Sequence, residues 1–258
     1  MRPSYQLYNN DAPLFTLNKT VELPVRLNLF LTHGLSNKLR TLMGYLWVAE
    51  QCQQELNIYW HIDHACNGHF LDIFQPIDGV NFVEFENESE VDFRGYSTFE
   101  QILYQHNYLD VNIYQEQKRM YTKLHPLPHI QEKVSAFCET NSIPTSIGIH
   151  IRRTDHENLA RTNQAFSTDD RFINFIQNNP DSGGVFIATD NRETQNVFVS
   201  LYGARVLFYN HIADSTALRK TSLEEALIDV LICSQCRSFL GSGYSSYTDF
   251  IEILRSLR

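Results

Sequence analysis

The sequence predicts an α/β fold made of two units, each a parallel sheet flanked by helices, and three observations carry that prediction. Short apolar runs rich in β-branched residues alternate with segments of helical period through residues 145–257. The same alternation starts in the first half of the chain. The polar residues that look chemical cluster where the apolar runs end, as they do in parallel sheets whose loops bind ligands.

Taken in order, Val25–Thr32 reads as a strand and Leu35–Leu56 as a long helix, with apolar residues at Leu39, Leu42, Met43, Leu46, Trp47 and Ala49. Asn57–Ile62 and Val80–Phe85 read as further strands, while Glu86–Asp110 is acidic and irregular. His129–Thr140 has helical period, and with Asn141–Pro144 it forms the join between the two units. Beyond it, strands at Thr145–Ile151, Val185–Ala188, Arg205–Tyr209 and Arg237–Gly241 alternate with helices at Thr168–Asn178, Glu193–Tyr202, Ser222–Ser234 and Ser246–Leu257. Alternation of this kind demands crossovers that put helices on both faces of a parallel sheet. Thr221-Ser222-Leu223-Glu224 reads as a capping box, and Pro180 with Gly183-Gly184 ends a helix before the next strand.

Composition narrows the function. With 258 residues, 43% of them hydrophobic, the chain can bury a large core. Its 30 acidic against 21 basic residues give a net charge of -9, which argues against nucleic-acid binding through a diffuse basic surface. An anionic ligand must therefore be held locally. No apolar run approaches the roughly 20 residues that span a bilayer, and Met1-Arg-Pro-Ser-Tyr lacks the apolar core of a signal peptide. Together with five scattered Cys, which fit reduced thiols better than a disulfide framework, this predicts a soluble, cytoplasmic protein.

In a parallel α/β sheet, ligands bind beyond the carboxyl ends of the strands, where helix N-termini present unpaired N–H groups. His150, Arg152, Arg153 and Asp155 follow the first strand of the second half; Thr189, Asp190 and Asn191 follow the second. Gly241-Ser242-Gly243-Tyr244-Ser245-Ser246 follows the fourth, at the start of a helix. A Gly/Ser turn there can cradle a phosphate, and Arg supplies a planar, permanently charged fork for it. His33-Gly34-Leu35-Ser36-Asn37 offers a similar turn in the first half.

These residues resemble a family. His150-Ile-Arg152-Arg153-Thr154-Asp155 is similar to the H-x-R-R-x-D motif of the α1,6-type fucosyltransferases, bacterial nodulation type and eukaryotic core type alike. Phe186–Asp190 is similar to their strand ending in A-T-D, Asp229 with Ser234-Gln235 to their D-x4-S-Q helix, and Tyr244-Ser245-Ser246 to their F-S-S turn, all in the family's order. In the first half, Gly34–Asn37 resembles a G-x-x-N turn and Trp60–Phe74 an aromatic run of these enzymes.

The resemblance implies a GT-B-like fold, two Rossmann-like domains facing a central cleft, with residues 1–140 on the acceptor side and 141–258 binding the GDP-sugar. It implies transfer of fucose from GDP-fucose to a glycan or other hydroxyl acceptor, with inversion and without a metal. Arg152 would hold the β-phosphate, His150 and Asp229 the guanosine, and Ser245 and Ser246 phosphate oxygens. Arg153 and Asp155 would pair with each other or with Asp190 beside the donor, and His33, Gly34 and Asn37 would complete the rim. The family's core-type members carry Lys and later Glu after the motif's Asp, whereas here His156-Glu157-Asn158 follows, so Glu157 and Asp155 both stand as candidates for the acceptor base. A transferase using another nucleotide sugar and a GDP-sugar-binding protein without catalysis remain as alternatives.

Other motifs read as structural. His61-Ile-Asp-His64-Ala-Cys66-Asn-Gly-His69 holds metal-ligand residue types, but its spacing fits no standard zinc finger. Cys233-Ser-Gln-Cys236 has no second pair and one thiol on an apolar helix face, which favours core packing. The G-x-G-x-x-like run at Gly241 lacks the later strand and acidic residue a dinucleotide site needs.

Overall fold

The computed structural model describes residues 6–9, 12–16, 26–31, 33–87, 111–154, 157–212 and 221–258. The chain divides into two compact units, Met1–His125 and Pro126–Arg258.

In the first unit, β1 (Gln6–Asn9) and β2 (Ala12–Thr16) form an antiparallel hairpin. A parallel sheet then runs β3 (Arg26–Leu31), β4 (Glu55–His61), β5 (Val80–Phe85) in that spatial order. Helix α1 (Leu35–Cys52) connects β3 to β4. All six of the apolar positions expected to face the core on α1 are buried, and so are Lys38, Thr41, Tyr45 and Val48 between them, so this helix is covered on nearly every side. The helix is shorter than the pattern predicts. Gln53 adopts the left-handed conformation (φ 56°, ψ 47°) and turns the chain, so Leu56 is a buried strand residue. No Gly marks that turn, which is why the periodicity overran it. Helix α2 (Val111–Met120) follows the acidic stretch, most of which lies outside the described residues.

The second unit opens with α3 (Pro128–Thr140), which begins with Pro at its first position, where a missing N–H costs nothing. Then come β6 (Ile147–Ile151), α4 (Glu157–Thr162), α5 (Asp169–Gln177), β7 (Val185–Thr189), α6 (Arg192–Tyr202), β8 (Val206–Leu207), α7 (Leu223–Gln235), β9 (Ser238–Gly241) and α8 (Ser246–Ser256). The four strands are parallel in the order β8-β7-β6-β9. β6 and β7 are buried at every position, as expected for central parallel strands covered on both faces. Ile149, Ile151, Phe172, Ile187 and Phe198 meet in their core.

Two local readings shift. Ser222, not Thr221, caps α7: its hydroxyl accepts from Glu225 N–H at 3.1 Å and Glu225 returns a bond to Ser222 N–H at 2.7 Å. Glu224 is thereby freed to pair with Lys133 and His129 on α3. β8 spans two residues instead of five, because Gly203–Arg205 winds into a 3-10 turn and only Val185 and Phe186 offer it partners. Four described cysteines, Cys66, Cys138, Cys233 and Cys236, are buried free thiols. Among the described residues no helix is long and apolar enough to cross a membrane.

Candidate functional site

The strand order of the second unit fixes where a ligand belongs. β6 is flanked by β7 on one side and β9 on the other, so the chain's progression reverses between β6 and β9, and the crevice above their carboxyl ends is the topological switch point. The arginine pair leaves β6 at that point and the Gly/Ser turn leaves β9.

His150 is buried, with Nδ1 2.9 Å from the Thr248 hydroxyl on α8 and its ring 4.6 Å from that of Tyr247. The Thr248 hydroxyl donates to Ser242 O at 3.0 Å, so it accepts from His150 Nδ1–H and thereby selects the tautomer. Ser242 stitches the two strand ends together: its N–H donates to His150 O at 2.9 Å and its Oγ accepts from Arg152 N–H at 2.9 Å. Gly241 permits this approach, since a Cβ there would lie 2.3 Å from Thr248 Cγ2.

Arg152 points its guanidinium at Asp190, Nη1 to Oδ2 at 2.7 Å, and keeps about a fifth of its side chain exposed. Asp190 organises the rim, for Oδ1 accepts the Arg153 N–H at 2.9 Å and Oδ2 accepts the Thr154 hydroxyl. Of the expected partners of Arg153, Asp190 is met through the backbone, while Nη1 donates to Ser167 O at 2.9 Å and Nη2 pairs with Asp169. The two guanidinium groups thus meet different carboxylates, Arg152 with Asp190 and Arg153 with Asp169. Asp155 lies outside the described residues. Glu157 sits in the first turn of α4, where Oε1 accepts both Nε (3.0 Å) and Nη2 (2.6 Å) of Arg161.

Asp229 projects from α7 with its Oδ1 buried and without a hydrogen-bond partner. Burial first, then the charge of Glu225, pushes this carboxyl up to about 8. An orphaned buried carboxyl oxygen costs stability unless something else bonds it. Tyr247 links it to the rest of the site. Its hydroxyl donates to Ala226 O at 2.6 Å, and its acidity is suppressed by burial and by Asp229 while Arg152 pulls the other way.

Ser245 is the N-cap residue of α8 and is buried, yet its side chain makes no capping bond; Ser246 is the first helical residue. The N-terminus of α8 therefore keeps N–H donors and positive dipole potential at the switch point. Tyr244 precedes it at φ 56°.

In the first unit, His33 (φ 71°) and Gly34 turn the chain into α1, and Gly34 O accepts the N–H groups of Asn37 (3.0 Å) and Lys38 (3.1 Å). The neighbouring Ser36 Oγ is buried without a partner. Sequence reasoning passed over Lys38, which is fully buried, donates to His61 O and lies 4.5 Å from the Trp60 ring centre. Burial pushes its ammonium below the ordinary value, against the charges of Cys66 and Asp63. The His61–His69 run is a turn: Asp63 Oδ1 accepts the N–H groups of Ala65 (2.7 Å) and Cys66 (2.9 Å), and Trp60 Nε1 donates to Gly68 O at 2.9 Å. Among the described residues no group of three His, Cys, Asp or Glu side chains is placed to hold a metal ion.

No family model and no curated protein matches this chain. Solved structures do. NodZ, a fucosyltransferase from Bradyrhizobium, is 16% identical and superposes with a TM-score of 0.58, covering 89% of this chain and 93% of its own. A NodZ α-1,6-fucosyltransferase soaked with GDP-fucose gives a TM-score of 0.57 at 16% identity, over 89% and 92%. POFUT1 in complex with GDP-fucose is 10% identical with a TM-score of 0.60, over 93% of this chain and 96% of that one. The protein therefore has the GT-B-like fold of these fucosyltransferases, with a Rossmann-like parallel sheet in each of its two units.

Proposed function

We propose that the protein is an inverting, metal-independent glycosyltransferase that takes GDP-fucose as donor and transfers fucose to a hydroxyl of a carbohydrate acceptor. One observation carries the reading: a guanidinium and an uncapped helix N-terminus follow the neighbouring strands β6 and β9 at the switch point of one parallel sheet, and α7, which leads into β9, holds a buried carboxyl oxygen without a partner. These are the complements of a nucleoside diphosphate. Asp229 Oδ1 accepts from the N–H edge of guanine, with His150 and Tyr247 as the wall beside it. Ser245, Ser246 and the N–H groups of α8 receive phosphate oxygens.

Departure of GDP builds negative charge on the β-phosphate, and Arg152 meets it. Nη1 is fixed by Asp190, so the guanidinium is held in place before the charge develops. A preorganised donor of this kind supplies roughly 3 to 4 kcal/mol of barrier lowering. Together with the helix dipole it takes the part a divalent cation plays in other transferases. The acceptor hydroxyl attacks C1 of fucose as the C1–O bond to the phosphate breaks, and its proton passes to a carboxylate; Asp155 and Glu157 are the two on the segment after the arginines. The first unit, with His33, Gly34 and Asn37 on its rim, carries the acceptor, and the reaction takes place in the cytoplasm.

The test is a binding panel followed by turnover. GDP and GDP-fucose should raise the melting temperature and UDP-sugars and NAD should not; ligand at 100 times Kd contributes about 2.7 kcal/mol. Stabilisation by UDP-sugars alone would reject the donor. Binding of GDP-fucose without fucose release would leave a GDP-sugar-binding protein.

A further inference from the structure

The two halves of the proposed phosphate cradle, the arginine loop after β6 and the Gly/Ser turn after β9, are both fastened to a third segment that has no place in the reading so far. It is the loop of residues 163–168 between α4 and α5, with Asp169 at the start of α5. Ser167 is buried and faces both ways. Its carbonyl accepts Arg153 Nη1 at 2.9 Å, and its hydroxyl accepts Gly243 N–H at 3.0 Å and Arg171 Nη1 at 2.8 Å. Asp169 takes the other arm of the Arg153 fork. Phe166 lies under both Arg153 and Arg161, whose guanidinium carbons are 5.1 and 3.7 Å from its ring centre. The loop approaches the turn so closely that a Cβ on residue 243 would sit 2.4 Å from Ala165 O.

Backbone conformation makes the same point independently. Among the described residues six that are not glycine have positive φ, and one lies in each of the three segments that meet here: Thr154 (42°), Gln164 (54°) and Tyr244 (56°). Such conformations cost about 1–3 kcal/mol each and persist only where surrounding bonds hold them. For Tyr244 the bond is the one its neighbour Gly243 makes to Ser167.

We propose that Ser167 and Arg153 are positioning residues of the phosphate cradle: they set the Gly/Ser turn, and with it the donors of α8, at a fixed place relative to Arg152. This rests on the GDP-sugar reading and adds a division of labour within it. Arg153 does not touch the donor but ties the loop that does. The effect falls first on the diphosphate, because Asp229 is carried by α7, and Tyr247, although on α8, is tied to α7 by its hydroxyl bond to Ala226 O.

The experiment measures Kd for GDP by calorimetry and for guanosine by ligand-observed NMR, in the wild type, Ser167→Ala and Arg153→Lys. Ser167→Ala leaves the Gly243 N–H without its acceptor, and GDP should weaken about tenfold, which corresponds to ~1.4 kcal/mol. Arg153→Lys keeps the charge but can no longer serve Ser167 and Asp169 together, so about a fivefold loss is expected. Guanosine affinity should stay within about twofold in both, the spread of an uncoupled site. Equal weakening of GDP and guanosine, or unchanged GDP affinity in a folded variant, would overturn the proposal, since a merely structural tie lowers stability without distinguishing the two ligands. Should Ser167→Ala fail to fold, the same split in Arg153→Lys decides. A wild-type protein that binds neither compound would instead remove the donor assignment itself.

Discussion

Replacing Arg152 separates the chemistry of the site from its architecture, because the structure shows what the side chain holds before any donor arrives. Its Nη1 bonds Asp190 at 2.7 Å, and Asp190 keeps two further partners, the Arg153 N–H and the Thr154 hydroxyl. Removing the guanidinium in Arg152→Ala therefore leaves a carboxylate still twice bonded, at a cost of about 1–2 kcal/mol. That is a fall in melting temperature on the order of 2–8 °C. The loss at the transition state is larger. A preorganised donor facing the charge of departing GDP is worth about 3–4 kcal/mol, or 10²–10³ in kcat.

Arg152→Lys refines the argument. The ammonium retains the charge but is a single point, so it bonds Asp190 or the phosphate and cannot span both as the fork does. We expect kcat to fall about 30-fold or more, close to the alanine variant, with a melting temperature within roughly 2 °C of wild type. The assay is kcat, KM and thermal midpoint for both variants with GDP-fucose, following transfer or donor hydrolysis. An interaction made only in the transition state lowers kcat and kcat/KM together. Normal turnover in Arg152→Ala, or a lysine variant as active as wild type, refutes the reasoning.

Asp229 carries a pH signature. Its carboxyl is raised to about 8 by burial, so its contribution to stability is complete below its ordinary value near 4 and is lost as pH rises to 8. Urea unfolding should show Asp229→Asn gaining on the wild type between pH 4 and 8; a parallel pair of curves would contradict this. Guanine N–H donors select the ionised form, so GDP should bind wild type more tightly at pH 8 than at pH 6, and the Asn variant should lose that dependence. Gly243→Ala drives a methyl against the backbone oxygen of Ala165, and GDP affinity should fall by about tenfold or more as the turn shifts; calorimetry showing wild-type affinity would mean the turn relaxes freely. Activity should survive EDTA, and a loss restored only by added Zn or Mn would return attention to His61–His69.

The parts of the fold carried by one-dimensional periodicity were legible. β6 and β7 are buried on both faces and read as mostly apolar runs, and α5 and α6 declare one stripe each. Boundaries that depend on a single backbone conformation were not, as at Gln53, where a left-handed residue without glycine ends α1, and at β8, where a 3-10 turn consumes the expected strand. The site divides in the same way. Residues at strand ends fall together because the sheet is parallel, which is why His150, Arg152, Asp190 and Ser245 could be chosen together. Ser167 lies in a polar loop after a short helix and Asp169 opens the next one, and nothing in their spacing tells them from solvated residues; only the register of β6 against β9 brings Arg153 to both and Gly243 to Ser167. Lys38 was hidden for the opposite reason, since a lysine on a helix is ordinarily exposed.

The adjacent arginines show how an acidic chain builds a local cationic site. With a net charge of -9, the protein cannot draw in a diphosphate by its overall field, so the attraction must come from a few groups at short range. Two guanidinium groups side by side would repel each other if both faced the ligand. Here each meets a carboxylate of its own, Arg152 with Asp190 and Arg153 with Asp169. The pairs differ in what surrounds them. The Arg153 guanidinium also bonds Ser167 O and lies over Phe166, and its side chain is less exposed than that of Arg152. Arg152 bonds Asp190 through Nη1, which orients its guanidinium before any donor arrives. In this arrangement the second arginine supports the loop, and in the function we propose the first binds the charge of the donor.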